Sequence, residues 1–217
     1  MTSTKSVKLP TSQWLMLALV ALTAIVSLVD SPYPDLAPLQ NVPTLFIAGG
    51  IALALRRWPL PDSAVACFTI FLLLHTLGGR YLYSYVPYDA WLEQLGLPSL
   101  SSLLGLHRNG YDRLVHLAFG LLFVHPISVL LTRHWSVRPG LAIYVAVEFV
   151  LAGSALYEIF EWLLTLVLAG PAADQYNGQQ GDIWDSQKDM ACAAGGAILC
   201  GVWLLLRRRI RSGGVDR

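Results

Sequence analysis

The chain has 217 residues, 55% of them hydrophobic and only 13% charged, with a mean hydropathy of +0.54. Soluble domains carry about 25% charged residues, so this composition excludes one and points to a polytopic membrane protein. Fifteen basic against 14 acidic side chains leave a formal charge of +1, with no basic surplus to recruit nucleic acid as a partner.

Six apolar segments, at about 13–29, 41–56, 63–79, 112–132, 140–166 and 188–206, predict an all-α fold. Residues 1–217 read as one integral membrane domain with six transmembrane helices. Lys5 and Lys8 precede the first run, Trp14 to Val29, as they would in a signal peptide. The run leads into Asp30-Ser31-Pro32-Tyr33-Pro34 without a small-x-small cleavage site, so a retained helix is expected. The second segment is short for a span of about 20 residues.

Orientation follows from the basic residues. Lys5, Lys8, Arg56, Arg57, Arg133, Arg138, Arg207, Arg208, Arg209, Arg211 and Arg217 fall on one side, eleven of the fifteen; Arg80, Arg108, Arg113 and Lys188 fall on the other. The positive-inside rule places both termini in the cytoplasm, with Trp14, Trp58 and Trp135 at that boundary. The longest connection, Arg80 to Tyr111, then faces outward. Its Tyr88, Trp91, Leu92 and Leu95 recur at helical spacing until Gly96 and Pro98, predicting a short helix lying on the interface. Cys67, Cys192 and Cys200 lie in apolar segments without Cys-x-x-Cys spacing and read as packing residues.

Candidate chemistry gathers at the outer ends of the last three spans. Asp112 and His116 are i and i+4 at the start of the fourth, on one helix face. In the fifth, Ser154, Glu158 and Glu161 share a stripe, and about 30 Å of hydrocarbon counted from Leu141 emerges near residue 160. Asp182, Asp185 and Asp189, at i, i+3 and i+7, form a third stripe at the mouth of the sixth, continued inward by Ala193, Gly196 and Cys200. Small residues let helices approach closely in a membrane, so this face is expected to pack inside the bundle. Six carboxylates at one depth must protonate or recruit positive charge. Two explanations stand: a structural ion-pair network using Arg113 and Lys188, or a functional site.

Carboxylates with one imidazole suit a divalent metal ion such as Mg²⁺, Mn²⁺, Ca²⁺ or Zn²⁺. The ligand candidates are Asp112, His116, Glu158, Glu161, Asp182, Asp185 and Asp189, with Glu158, Glu161 and Asp185 as candidate catalytic groups. His75, Glu148, Arg113 and Lys188 are further candidates, Glu148 because an acid deep in a span is a proton-relay hypothesis by default. His125 faces away from His116 and reads as structural, and Ser154 as a helix-packing hydroxyl.

Tyr-Asp-Arg-x-x-His at 111–116, Tyr-Glu-x-x-Glu-Trp at 157–162 and Gly-Asp-x-Trp-Asp-x-Gln-x-Asp-Met at 181–190 resemble the YjdF-like bacterial inner-membrane proteins, a family without an assigned activity. A more distant likeness is to the VanZ-like membrane proteins associated with teicoplanin resistance. Asp112, His116, Glu158 and Asp185 match that pattern, while Glu161 and Asp189 stand where it has amides. The resemblance implies an inner-membrane address. The leading expectation for function is a metal-dependent enzyme acting on a lipid or lipid-linked envelope substrate at the outer leaflet. The alternatives are a cation- or proton-coupled transporter using Glu148, and a non-catalytic envelope or resistance factor.

Overall fold

The computed structural model describes residues 7–167, 176 and 178–213. Lys5 and Arg217, which entered the charge count, lie outside them. Among the described residues there are eight helices and no strand: α1 Thr11–Leu28, α2 Ala37–Arg57, α3 Asp62–Arg80, α4 Tyr88–Gln94, α5 Leu100–Leu104, α6 Tyr111–Trp135, α7 Pro139–Val167 and α8 Asp185–Gly213. Six of these, all but α4 and α5, are long and apolar enough to cross a membrane.

Among the helix starts, the largest departure from the expected boundaries is α2, which begins at Ala37 and not near residue 41. Pro38 sits in the first turn, where a missing N–H costs nothing. The following Gln40 and Asn41 lower local hydropathy, which is why the apolar run starts late, but both are buried against α3. The Asn41 amide donates to the Thr76 carbonyl at 3.3 Å, and His75 Nε2 contacts the Gln40 carbonyl at 3.2 Å. At the C-terminus of α3, one turn further on, Arg80 donates to the carbonyls of Ser27 and Val29, both at 2.8 Å, and of Asp30 at 3.0 Å. It thereby satisfies the unpaired carbonyls that end α1. The helix expected near Tyr88 forms as α4 and stops at Gly96, whose φ of +73° suits glycine. The short α5 was not expected; its N-cap is Ser99, whose hydroxyl accepts from the Ser102 amide at 3.2 Å.

The spans pack as two groups of three. Helices α1, α2 and α3 touch one another, as do α6, α7 and α8, and α3 against α6 is the contact that joins the groups. That seam is aromatic: Phe71 lies 5.6 Å from Phe119 and 5.0 Å from Phe123, and Phe68 lies 5.2 Å from Phe123. Within the second group, α6 and α8 cross at Gly120 and Gly196. A Cβ on Gly120 would strike the Ala193 carbonyl oxygen, and one on Gly196 the Leu117 carbonyl oxygen, so backbone lies on backbone there. The small-residue face expected of the sixth span is therefore the packed one: Asp189, Ala193, Ala197 and Cys200 are buried while Leu199 and Trp203 are exposed. Trp58 and Trp135 lie 5.8 Å apart, their rings tilted by 38°, at the ends of α2 and α6.

Candidate functional site

The close crossing of α6 and α8 sets the distance between their acids. Asp112 and His116, one turn apart at the start of α6, are 8% and 7% exposed, and Asp189 of α8 is 2% exposed. One ligand atom from each of these three residues lies within 4.8 Å of the others. Helix α7 adds Glu158, whose Oε1 is 3.4 Å from His116 Nε2; the same nitrogen is 3.7 Å from Asp112 Oδ1. Glu158 Oε1 and Asp189 Oδ1 are buried and lack a hydrogen-bond partner. Such oxygens require a proton, an ordered water or a cation.

The remaining two aspartates are differently placed. Helix α8 starts at Asp185, so Asp182 does not continue its stripe but lies in the turn before it, where its Oδ1 accepts from the Trp184 amide at 3.1 Å. Arg113 Nη2 meets Asp182 Oδ2 at 2.6 Å, and Lys188 Nζ meets the same oxygen at 2.6 Å. The Lys188 hydrogen bond, the Trp184 amide and the Arg113 contact together hold the Asp182 carboxyl down at about 2. Asp185, 4% exposed, is gripped by Arg108, which ion-pairs with Oδ1 and donates to Oδ2 at 3.2 Å. Arg113 spans the two sets, with Nη2 at 3.4 Å from Asp185 Oδ1 and Nε at 3.8 Å from Asp189 Oδ1.

Arg108 is the residue that sequence reasoning missed. Its side chain is 10% exposed, against 49% for Lys188, so it and not the lysine is the buried compensating cation. The available signal was its position among the four basic residues that fall on the opposite side from the other eleven. Arg108 also donates to the carbonyls of Gln179 at 3.1 Å and Gly178 at 3.2 Å, and thus fastens the segment before α8 to the segment before α6. The Asn109 amide N–H donates to Gln180 Oε1 at 2.9 Å, and Gln180 Nε2 donates back to the Asn109 carbonyl at 3.2 Å. Ser84 Oγ donates to the Gly178 carbonyl at 3.0 Å, and with φ of +62° and no room for a Cβ beside that hydroxyl, position 178 requires glycine.

Two cavities flank the cluster. One, of about 220 Å³, has Asp112, His116, Ser154 and Tyr157 in its wall. The other, of about 280 Å³, is bounded by Glu158, Glu161, Gln179, Asp185 and Ser186. Glu161 therefore belongs to the second cavity and is not in the group formed by Asp112, His116 and Asp189. Burial, followed by the negative charges of Asp112 and Glu161, keeps the Tyr83 phenol well above its usual range and hence neutral. Tyr176 is raised by burial and by Glu161.

His75 faces the first cavity, but both its nitrogens are engaged. The Gln40 carbonyl can only accept, so Nε2 carries the proton and Nδ1 accepts from the Tyr83 hydroxyl. His125 lies 3.1 Å from Ser63 Oγ, as a structural residue would. Ser154 is 2% exposed with its hydroxyl unpartnered in the cavity wall. Glu148 is exposed on α7 and lines neither cavity.

Six helices long and apolar enough to cross a membrane, the last three of them enclosing a buried carboxylate–imidazole cluster, define an integral membrane protein. Residues 12–210 match a family described as "Predicted membrane protein (DUF2238)", and the chain belongs to that family. It is 32% identical over 167 residues to the inner membrane protein YjdF of Escherichia coli strain K12, a match covering 76% of each chain. No solved structure matches it. The chain is a multi-pass protein of the inner membrane.

Proposed function

We propose that this protein is a membrane-embedded enzyme that acts on a lipid or lipid-linked envelope substrate, using a divalent cation held by Asp112, His116 and Asp189. The observation that carries this reading is the convergence of those three buried ligand atoms within 4.8 Å, beside orphaned oxygens of Glu158 and Asp189. Structural ion pairing accounts for Asp182 and Asp185, which Arg108, Arg113 and Lys188 neutralise, but leaves Asp112, Glu158 and Asp189 with Arg113 Nε at 3.8 Å from one of them. A bound cation would polarise a substrate oxygen or activate a water. Glu158, adjacent to His116 and outside the three-ligand set, would accept the proton. Arg113, at the edge of the cluster, suits an anionic substrate group such as a phosphate. Asp182 and Asp185 would position the segment before α8, and Glu161 would shape the second cavity. The basic-residue distribution supports an orientation with the cluster at the outer boundary and both termini in the cytoplasm.

Transport receives no support from Glu148, whose exposure on α7 leaves it outside the cavities. The cation is tested by thermal denaturation of purified protein. Removal by a chelator is expected to lower the melting temperature, and re-addition to restore it, because a ligand at a hundredfold excess over its dissociation constant stabilises by about 2.7 kcal/mol. Asp189→Asn and His116→Ala should abolish the response, while Glu158→Gln should retain it. A metal-free protein that is indifferent to chelator and to added divalent ions would refute the proposal.

A further inference from the structure

The first cavity is a groove with a definite construction. Its floor is the aromatic seam, Phe71 of α3 and Phe119 of α6; one wall is Ile47 of α2 and the other is Gly153, Ser154 and Tyr157 of α7. Helix α2 packs on α1 and α3, and α7 on α6 and α8, but α2 and α7 do not pack on each other among the described residues. The groove is therefore open sideways between two membrane spans. Phe46, next to Ile47 in α2, and Leu156, next to Tyr157 in α7, are 76% and 66% exposed, so the surfaces flanking the groove are apolar and suit the hydrocarbon of the bilayer. Inward the groove turns polar, at Asp112, His116 and the unpartnered Ser154 hydroxyl, which is 2% exposed.

We infer that this groove holds the first segment of one hydrocarbon chain of a membrane lipid that slides in between α2 and α7, with the lipid's polar end against His116 and Ser154 and the rest of the chain in the bilayer. The volume decides the occupant. A void of about 220 Å³ exceeds the roughly 150 Å³ that accepts a small apolar guest. It is far too small for a partner helix, which is about 10 Å across. An aqueous occupant is disfavoured because the floor and the α2 wall offer water no hydrogen bonds. Gly153 keeps the groove clear: a Cβ there would already lie 3.1 Å from the Phe119 ring. The inference rests on the proposed function only in treating the cluster as the place where the polar end reacts; the chain-binding groove stands on its own geometry.

The test uses full-length protein in nanodiscs of phosphatidylethanolamine and phosphatidylglycerol. In one arm the nanodiscs carry a phospholipid with a diazirine on an acyl chain a few carbons from its carbonyl, in the other a polyprenyl phosphate with a diazirine a few carbons from its phosphate. After illumination, peptide mass spectrometry should find label on Phe71 or Phe119, and the arm that gives it tells acyl from prenyl. Ile47→Trp, which closes the mouth from α2, and Gly153→Leu, which fills it from α7, should each remove floor labelling while label at lipid-exposed Leu199 persists. Floor residues left unlabelled by both probes, or labelled equally in both variants, would overturn the inference. Chelator sensitivity is read on the same variants and should survive, so the groove and the cation can fail separately.

Discussion

Replacing Gly196 by alanine adds one methyl group at the place where α6 and α8 lie backbone to backbone. That methyl would strike the Leu117 carbonyl oxygen, with the Leu121 nitrogen at 2.9 Å and the Gly120 Cα at 3.2 Å. None of these is the end of a flexible side chain, so the helices must part by about 1 Å to restore ordinary contact distances. Overpacking of this kind costs about 1–3 kcal/mol. For a chain of this size that corresponds to a fall of about 2–12 °C in melting temperature. Asp189 lies seven residues, or about 10 Å, along α8 from Gly196, so the separation also draws it away from Asp112 and His116 and should weaken the chelator response. The neighbouring Gly195 is the control, since a Cβ there meets nothing within 4 Å and alanine favours helix by up to about 1 kcal/mol. Thermal denaturation of both variants, with and without chelator, is the assay. If Gly195→Ala and Gly196→Ala melt together, the close crossing does not set the geometry of the cluster and the reasoning is wrong.

Removal of the compensating cations should sort them by burial. Arg108→Met leaves the buried Asp185 with only the longer Arg113 contact at 3.4 Å and should cost up to about 3–5 kcal/mol in thermal or denaturant unfolding, while Lys188→Met, at an exposed position, should cost much less; the reverse order would refute the assignment of Arg108. Because the folded Asp182 carboxyl is held at about 2, below its unfolded value, its contribution is complete above pH ~4 and is lost as pH falls toward 2. Lys188→Met removes the largest cause of that depression, so the acid limb of the melting profile should move to higher pH; an unmoved limb would show that Asp182 does not report the pair. For orientation, a single cysteine at Gln179 in a background lacking Cys67, Cys192 and Cys200 should react with an impermeant maleimide in intact cells, and one at Ser212 should not. Reaction at Ser212 alone would invert the topology.

What the sequence disclosed depended on whether local spacing or long-range partnership was at stake. The six spans were legible because apolar runs are local, and Asp112 and His116 were paired correctly because i and i+4 share a face in any helix. The small-residue face of α8 was legible for the same reason. The start of α2 was not, because Gln40 and Asn41 are polar side chains buried against α3, and hydropathy does not register a partner thirty-five residues away. Periodicity likewise carried Asp182 onto the helix, whereas the turn it caps breaks the stripe there. Arg108 escaped notice since its partners, Gly178, Gln179 and Asp185, lie about seventy residues distant. His75 looked available as a ligand until the Gln40 carbonyl and Tyr83 hydroxyl were seen to occupy both nitrogens.

The division of the spans into two groups of three also bears on how the protein is made. Asp112, Glu158 and Asp189 all belong to helices of the second group, which leave the ribosome in succession after α1, α2 and α3 have been synthesised. A carboxylate on a lone helix is costly in lipid, and the chain order shortens that exposure. Helix α6, with Asp112 and its imidazole neighbour, can dock on the waiting α3; α7 follows as its hairpin partner, and α8 arrives last, bringing Asp189 to Asp112 and His116. The first three spans thus act as a platform, and the acidic residues are sheltered in the order in which they are translated.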